Sequence, residues 1–62
     1  MNSKIFMSNY KKDFTLQTDE EVTEMARKWI DQVGFKYNIK DIKRNNILNK
    51  LIITIYYEEK PI

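Results

Sequence analysis

Lys50-Leu51-Ile52-Ile53-Thr54-Ile55-Tyr56-Tyr57-Glu58-Glu59 is the stretch that decides how this 62-residue chain folds. Successive side chains of an extended strand point to opposite faces. Leu51, Ile53, Ile55 and Tyr57 therefore share one face, and Ile52, Thr54, Tyr56 and Glu58 share the other. Both faces carry β-branched or aromatic residues, which suit a pleated, packed surface. The stretch reads as the central strand of a sheet, covered on both sides, and Pro61 ends it.

A helix is needed to cover one of those faces, and residues 19–33 supply it. Thr18-Asp19-Glu20-Glu21 has the spacing of a capping box, in which the Thr18 hydroxyl accepts from the Glu21 N–H and the Glu21 carboxylate returns to the Thr18 N–H. Three acids in the first turn suit the positive end of the helix dipole. Val22, Met25, Ala26, Trp29, Ile30 and Val33 then fall on one stripe. Gly34 stands where a left-handed cap belongs, with Phe35 and Ile30 placed to close a Schellman motif by apolar contact.

Two weaker strands flank the helix. Ser3 to Tyr10 alternates Ile5 and Met7 against Phe6, Ser8 and Tyr10. Tyr37 to Arg44 carries Tyr37 and Ile39 on one face and Ile42 on the other, with charges between, as an edge strand does. The parity break between Ile39 and Ile42 predicts a bulge or an early end to one pairing. Asn45-Asn46 supplies the turn, with Ile47 to Asn49 completing the loop. In the first connection, residues 11–17, Phe14 and Leu16 are expected to pin the loop to the core.

The order is β-α-β-β. A right-handed crossover makes the first two strands parallel. The third then lies between them, antiparallel to both. The expected fold is α+β: one domain, residues 1–62, with a three-stranded antiparallel sheet in order 1-3-2 and one helix on one face. Nothing in the sequence covers the other face.

Composition limits the chemistry. There is no histidine, no cysteine and one glycine. A histidine base, a thiolate nucleophile, a zinc cluster and a glycine-rich phosphate loop are thereby excluded. The acids Asp19, Glu20, Glu21 and Glu24 read as capping and surface, because adjacent helix residues point apart. The reading is of a non-enzyme with no cofactor and no metal. No apolar run approaches the roughly 20 residues that span a bilayer, and Met1 to Tyr10 lacks a signal-peptide pattern. A cytoplasmic protein is expected. A 62-residue core is marginal without disulfides, metal or a partner, so a homodimer is expected too. Its interface is assigned to Ile52, Thr54 and Tyr56 on the uncovered face.

Charge is split. Residues 34–50 carry five bases against one acid, and residues 18–33 carry five acids against two bases. Lys36, Lys40, Lys43 and Arg44 form the basic segment and are the candidate partner-binding residues. The alternative is contact with nucleic-acid phosphate, although a net charge of +2 is low for a strong nucleic-acid binder. Ile, Asn and Lys make up 24 residues, all encoded by A- and T-rich codons, as in low-GC Gram-positive bacteria and their phages.

Lys4-Ile5-Phe6, the acid-capped helix, Asp41-Ile42-Lys43 and the strand from Leu51 to Glu58 together resemble small sporulation-associated proteins of bacilli and their phage-borne relatives. The pattern is also similar to that of short phage anti-defence proteins such as inhibitors of the Hachiman system, which are compact homodimers. The resemblance implies a phage or prophage origin and inhibition of a host protein by binding. It carries over no functional residue.

Overall fold

A computed structural model describes residues 1–61. Its elements are β1 (Asn2–Met7), α1 (Asp19–Val33), β2 (Tyr37–Ile47) and β3 (Lys50–Glu59). The sheet order is β1-β3-β2, with both neighbouring pairs antiparallel. The α+β fold read from the sequence is the one observed. Leu51, Ile53 and Ile55 of β3 are buried beneath Val22 and Ala26 of α1, with Phe6, Met25, Trp29, Ile30 and Ile39 packed around them.

The helix starts as its sequence dictates, with one change. Thr18 Oγ1 accepts from the Glu21 N–H at 3.2 Å. The Glu21 carboxylate, however, takes the Thr18 hydroxyl at 3.3 Å and the Lys11 ammonium at 2.6 Å, so it does not return to the backbone. The helix ends differently from expectation. Gly34 is right-handed, at φ −59°, and Phe35 is exposed, so there is no Schellman motif. The last turn of α1 contains no basic residue. Lys60, just beyond β3, fills that role by donating to the Gly34 carbonyl at 2.7 Å. A cation there suits the negative end of the helix dipole.

The hairpin also corrects the sequence reading. The turn is Leu48-Asn49, not Asn45-Asn46, and β2 runs three residues further than expected. Leu48 and Asn49 have φ of 51° and 67°, the paired positive values that a two-residue type I′ turn requires. In the observed register Leu51 and Ile52 pair with Asn46 and Asn45, so both asparagines lie inside the ladder. The expected bulge is present, as a register shift between Ile39 and Asp41 that leaves Lys40 as the extra residue.

β1 is shorter than expected, because the chain leaves the regular ladder after Met7. Ser8 still holds β3: its N–H donates to the Leu51 carbonyl, and its Oγ accepts from the Leu51 N–H, each at 3.0 Å. Tyr10 then bridges Leu16. In the first connection Leu16 is half-buried, but Phe14 is 86% exposed with φ 67° and pins nothing. The local geometry belongs to Asp13, whose carboxylate accepts from both the N–H and the hydroxyl of Thr15.

Candidate functional site

The sheet has two faces of different fate. In an antiparallel pair, directly opposed residues share a face. Phe6 opposite Ile53 and Ile42 opposite Ile55 therefore lie on the helix side. Three rows lie on the other side: Met7–Ile52–Asn45, Ile5–Thr54–Lys43 and Ser3–Tyr56–Asp41. Ile47 opposite Lys50 adds a fourth row at the hairpin end. No element among the described residues packs on this side.

The open face is apolar at its centre and charged at its rim. Ile5, Met7 and Ile47 are 60%, 41% and 55% exposed, around the half-buried Ile52 and Thr54. Tyr56 closes the patch, with the Lys43 ammonium 5.6 Å from its ring centroid, within cation–π range. Lys40 pairs with Glu58 at 3.5 Å along the same rim.

Size and shape agree with an unburied surface. The molecule measures 45 × 20 × 13 Å, and its radius of gyration is 13.0 Å. A compact 62-residue domain would have about 10.5 Å. Its accessible surface is 4917 Å². A typical monomer of this mass exposes about 4,300 Å².

Ile52, Thr54 and Tyr56 thus stand together on the uncovered face. The sequence reading missed Ile5, Met7 and Ile47, which complete it. The parity of Ile5 and Met7 was visible, but only the register against β3 assigns that parity to a side. By sequence alone Ile47 falls in the loop; the observed ladder places it opposite Lys50.

The four basic residues do not form one surface. All are exposed, as expected for an edge strand. Lys40 and Lys43 lie on the open side, around a shallow depression shared with Met1, Asp41 and Tyr56. Arg44 lies on the helix side, opposite Ile53. Lys36 is at the far end of the strand, over the Phe35 and Tyr37 rings. Trp29, between Phe6, Tyr37 and Tyr57 at centroid distances of 5.2 to 6.2 Å, joins the helix to the sheet and is not part of either surface.

Titration is perturbed around the first connection. The Lys11 ammonium holds the Glu21 carboxyl below its ordinary range and is itself raised by the same hydrogen bond. The Thr15 hydroxyl, and then its N–H, hold Asp13 down. These are surface contacts that tie the connection to the helix start.

The chain matches no known family model, no curated protein and no solved structure. No helix among the described residues is long and apolar enough to cross a membrane.

Proposed function

We propose that this chain is a non-enzymatic interaction protein, a compact homodimer that inhibits a host protein by covering part of its surface. The observation that carries the reading is the open sheet face, with Ile5, Met7 and Ile47 exposed around the half-buried Ile52 and Thr54. Two copies packed through this face form a four-layer helix–sheet–sheet–helix sandwich. Sheets stack in this way about 10 Å apart, and small domains often gain stability from a second copy. The resemblance to short phage anti-defence proteins supports a host protein as the target.

The scattering of Lys36, Lys40, Lys43 and Arg44 over two sides and both ends of β2 favours protein contact over a track for phosphates. In addition, Asp41 and Glu58 lie among the lysines. Salt tests the choice directly, because phosphate binding weakens steeply between about 50 and 200 mM salt.

Light scattering tests the dimer. The native chain should give about twice its 7.6 kDa mass at micromolar concentration. Ile52→Lys, which sets a charge in the middle of the face, should give the monomer mass. A native chain that is monomeric under these conditions overturns the reading. Affinity capture from an infected low-GC bacterium then identifies the target.

A further inference from the structure

We propose that the outer edge of β2, from Asp41 to Ile47, takes an extended acidic segment of the partner protein as a fourth strand. This rests on the contact-protein reading above and adds the chemistry of what is contacted. Three features meet at this edge. β2 pairs with β3 alone, so the backbone groups on its other side have no strand beside them, although the Ile42 N–H donates to its neighbour Asp41 Oδ1 at 2.8 Å, a contact an added strand displaces. Beyond the Lys40 bulge the register is regular, and seven residues of strand span about 23 Å. Last, α1 lies over β3 and β1, leaving a groove of about 290 Å³ between helix and β2.

The groove has a marked chemistry. Its floor and walls include Ala26, Ile30, Ile42, Ile53 and Ile55. Ile42 is 48% exposed, although it lies on the helix side of the sheet. The two arginines of the chain, Arg27 and Arg44, both line the groove. Arg27 has an exposed partner in Glu24 at 3.1 Å, whereas Arg44 has no ion pair among the described residues.

A strand laid along β2 sends alternate side chains to the helix side, opposite Ile42 and Arg44. An aliphatic side chain opposite Ile42 enters the groove. A carboxylate opposite Arg44 meets the guanidinium in the two-pronged geometry that arginine favours. On the open side, Lys43 faces a second carboxylate. Strand addition of this kind draws affinity from main-chain hydrogen bonds and specificity from alternate pockets. A second copy of β2 fits less well. Two-fold pairing about Ile42 sets Asp41 against Lys43, but it runs both Lys40 bulges into the ladder, a feature that guards edges against such pairing. In the sandwich dimer proposed above, both β2 edges and both grooves remain outward.

The test uses the full chain, isotope-labelled, and an end-blocked peptide of about nine residues with valine on each side of two adjacent central glutamates and threonine elsewhere, so that a valine can stand opposite Ile42 while the glutamates face Lys43 and Arg44. The control peptide has lysine in place of each glutamate. The acidic peptide should bind about tenfold or more tightly than the basic one, with amide shifts confined to residues 41–47 and the facing turns of α1. Arg44→Glu should reverse the preference, and Ile42→Ser should weaken the acidic peptide about tenfold. Equal binding of both peptides, no saturable binding of the acidic one, or shifts on the open face would each overturn the proposal. So would a change of mass in Arg44→Glu by light scattering, because this edge would then be joining two copies. Ile52→Lys should change the mass and leave peptide binding intact, which separates this proposal from the dimer.

Discussion

Replacing Ser8 by alanine removes one oxygen atom, yet it should be among the more damaging small changes in the chain. Ser8 and Leu51 are each 1% exposed. The Leu51 N–H donates to Ser8 Oγ at 3.0 Å across 43 residues of sequence. In Ser8→Ala that N–H stays buried with no acceptor. An unsatisfied buried donor costs about 1–3 kcal/mol, more than the net worth of the bond itself. For a domain of this size each kcal/mol moves Tm by about 4–8 °C. The melting temperature by circular dichroism should therefore fall by about 5–20 °C, at matched protein concentration because association also shifts Tm. Hydrogen exchange at Leu51 should accelerate. Ser3→Ala, on the exposed face opposite Tyr56, is the control and should change Tm little. A Tm for Ser8→Ala within about 2 °C of the parent, with Leu51 still protected, would refute the reasoning, since the N–H would then have found another acceptor.

Four further outcomes follow from the structure. Gly34→Ala should change stability by less than about 1 kcal/mol in a denaturant titration: Gly34 is right-handed, helix propensity favours alanine, and a Cβ would meet the Ile30 carbonyl oxygen at 3.1 Å. A loss of 2 kcal/mol or more would restore the left-handed cap. Leu48→Asn should stabilise the hairpin by up to about 1 kcal/mol, because asparagine tolerates positive φ better than leucine; a lower thermal midpoint would count against the type I′ turn. Thr18→Ala should cost about 1 kcal/mol through loss of the helix cap, and no change would mean the Glu21 N–H is satisfied elsewhere. The Glu21 and Asp13 carboxyls sit below their unfolded values, so their stabilisation is complete above the ordinary carboxylate range near pH 4 and is lost as pH falls through the lower folded values. Glu21→Gln should accordingly flatten the acid limb of a Tm-against-pH curve, and an unchanged limb would remove the Lys11 pair from the account.

The elements with a strong local signal were legible in the sequence. The stripe from Val22 to Val33 and the alternation from Leu51 to Tyr57 each have one clear periodicity, and the helix 19–33 and strand 50–59 expected from them are those observed. The Lys40 bulge was legible for the same reason, as a parity break. What depended on register was not. Asn45-Asn46 has the better turn chemistry, but the ladder with β3 outweighs it and places the turn on Leu48, a residue with little liking for positive φ. Gly34 has the right address for a left-handed cap, yet the end of β3 supplies Lys60 to the Gly34 carbonyl, a contact between residues 26 apart. The candidate surface was half legible. Ile52, Thr54 and Tyr56 share a strand, so parity groups them. Ile5, Met7 and Ile47 join them only through cross-strand pairing. The groove beside Ile42 could not be read at all, because it exists only where the helix stops short of β2.

The strand order 1-3-2 also has a consequence in time. Synthesis makes β1 first and its pairing partner β3 last, with the helix and β2 between them. At about 5–20 residues per second, the first strand waits some seconds for the residues it must pair with. Through that interval Ile5, Phe6 and Met7 have no native strand to lie against. The helix can form early from local contacts, and the β2–β3 hairpin can close around its two-residue turn as soon as Glu59 is free, but the sheet has no centre until then. The nascent chain therefore completes its core in one late step, with β1 docking onto a finished hairpin, and a ribosome stalled before Lys50 would carry a helix and two unpaired strands.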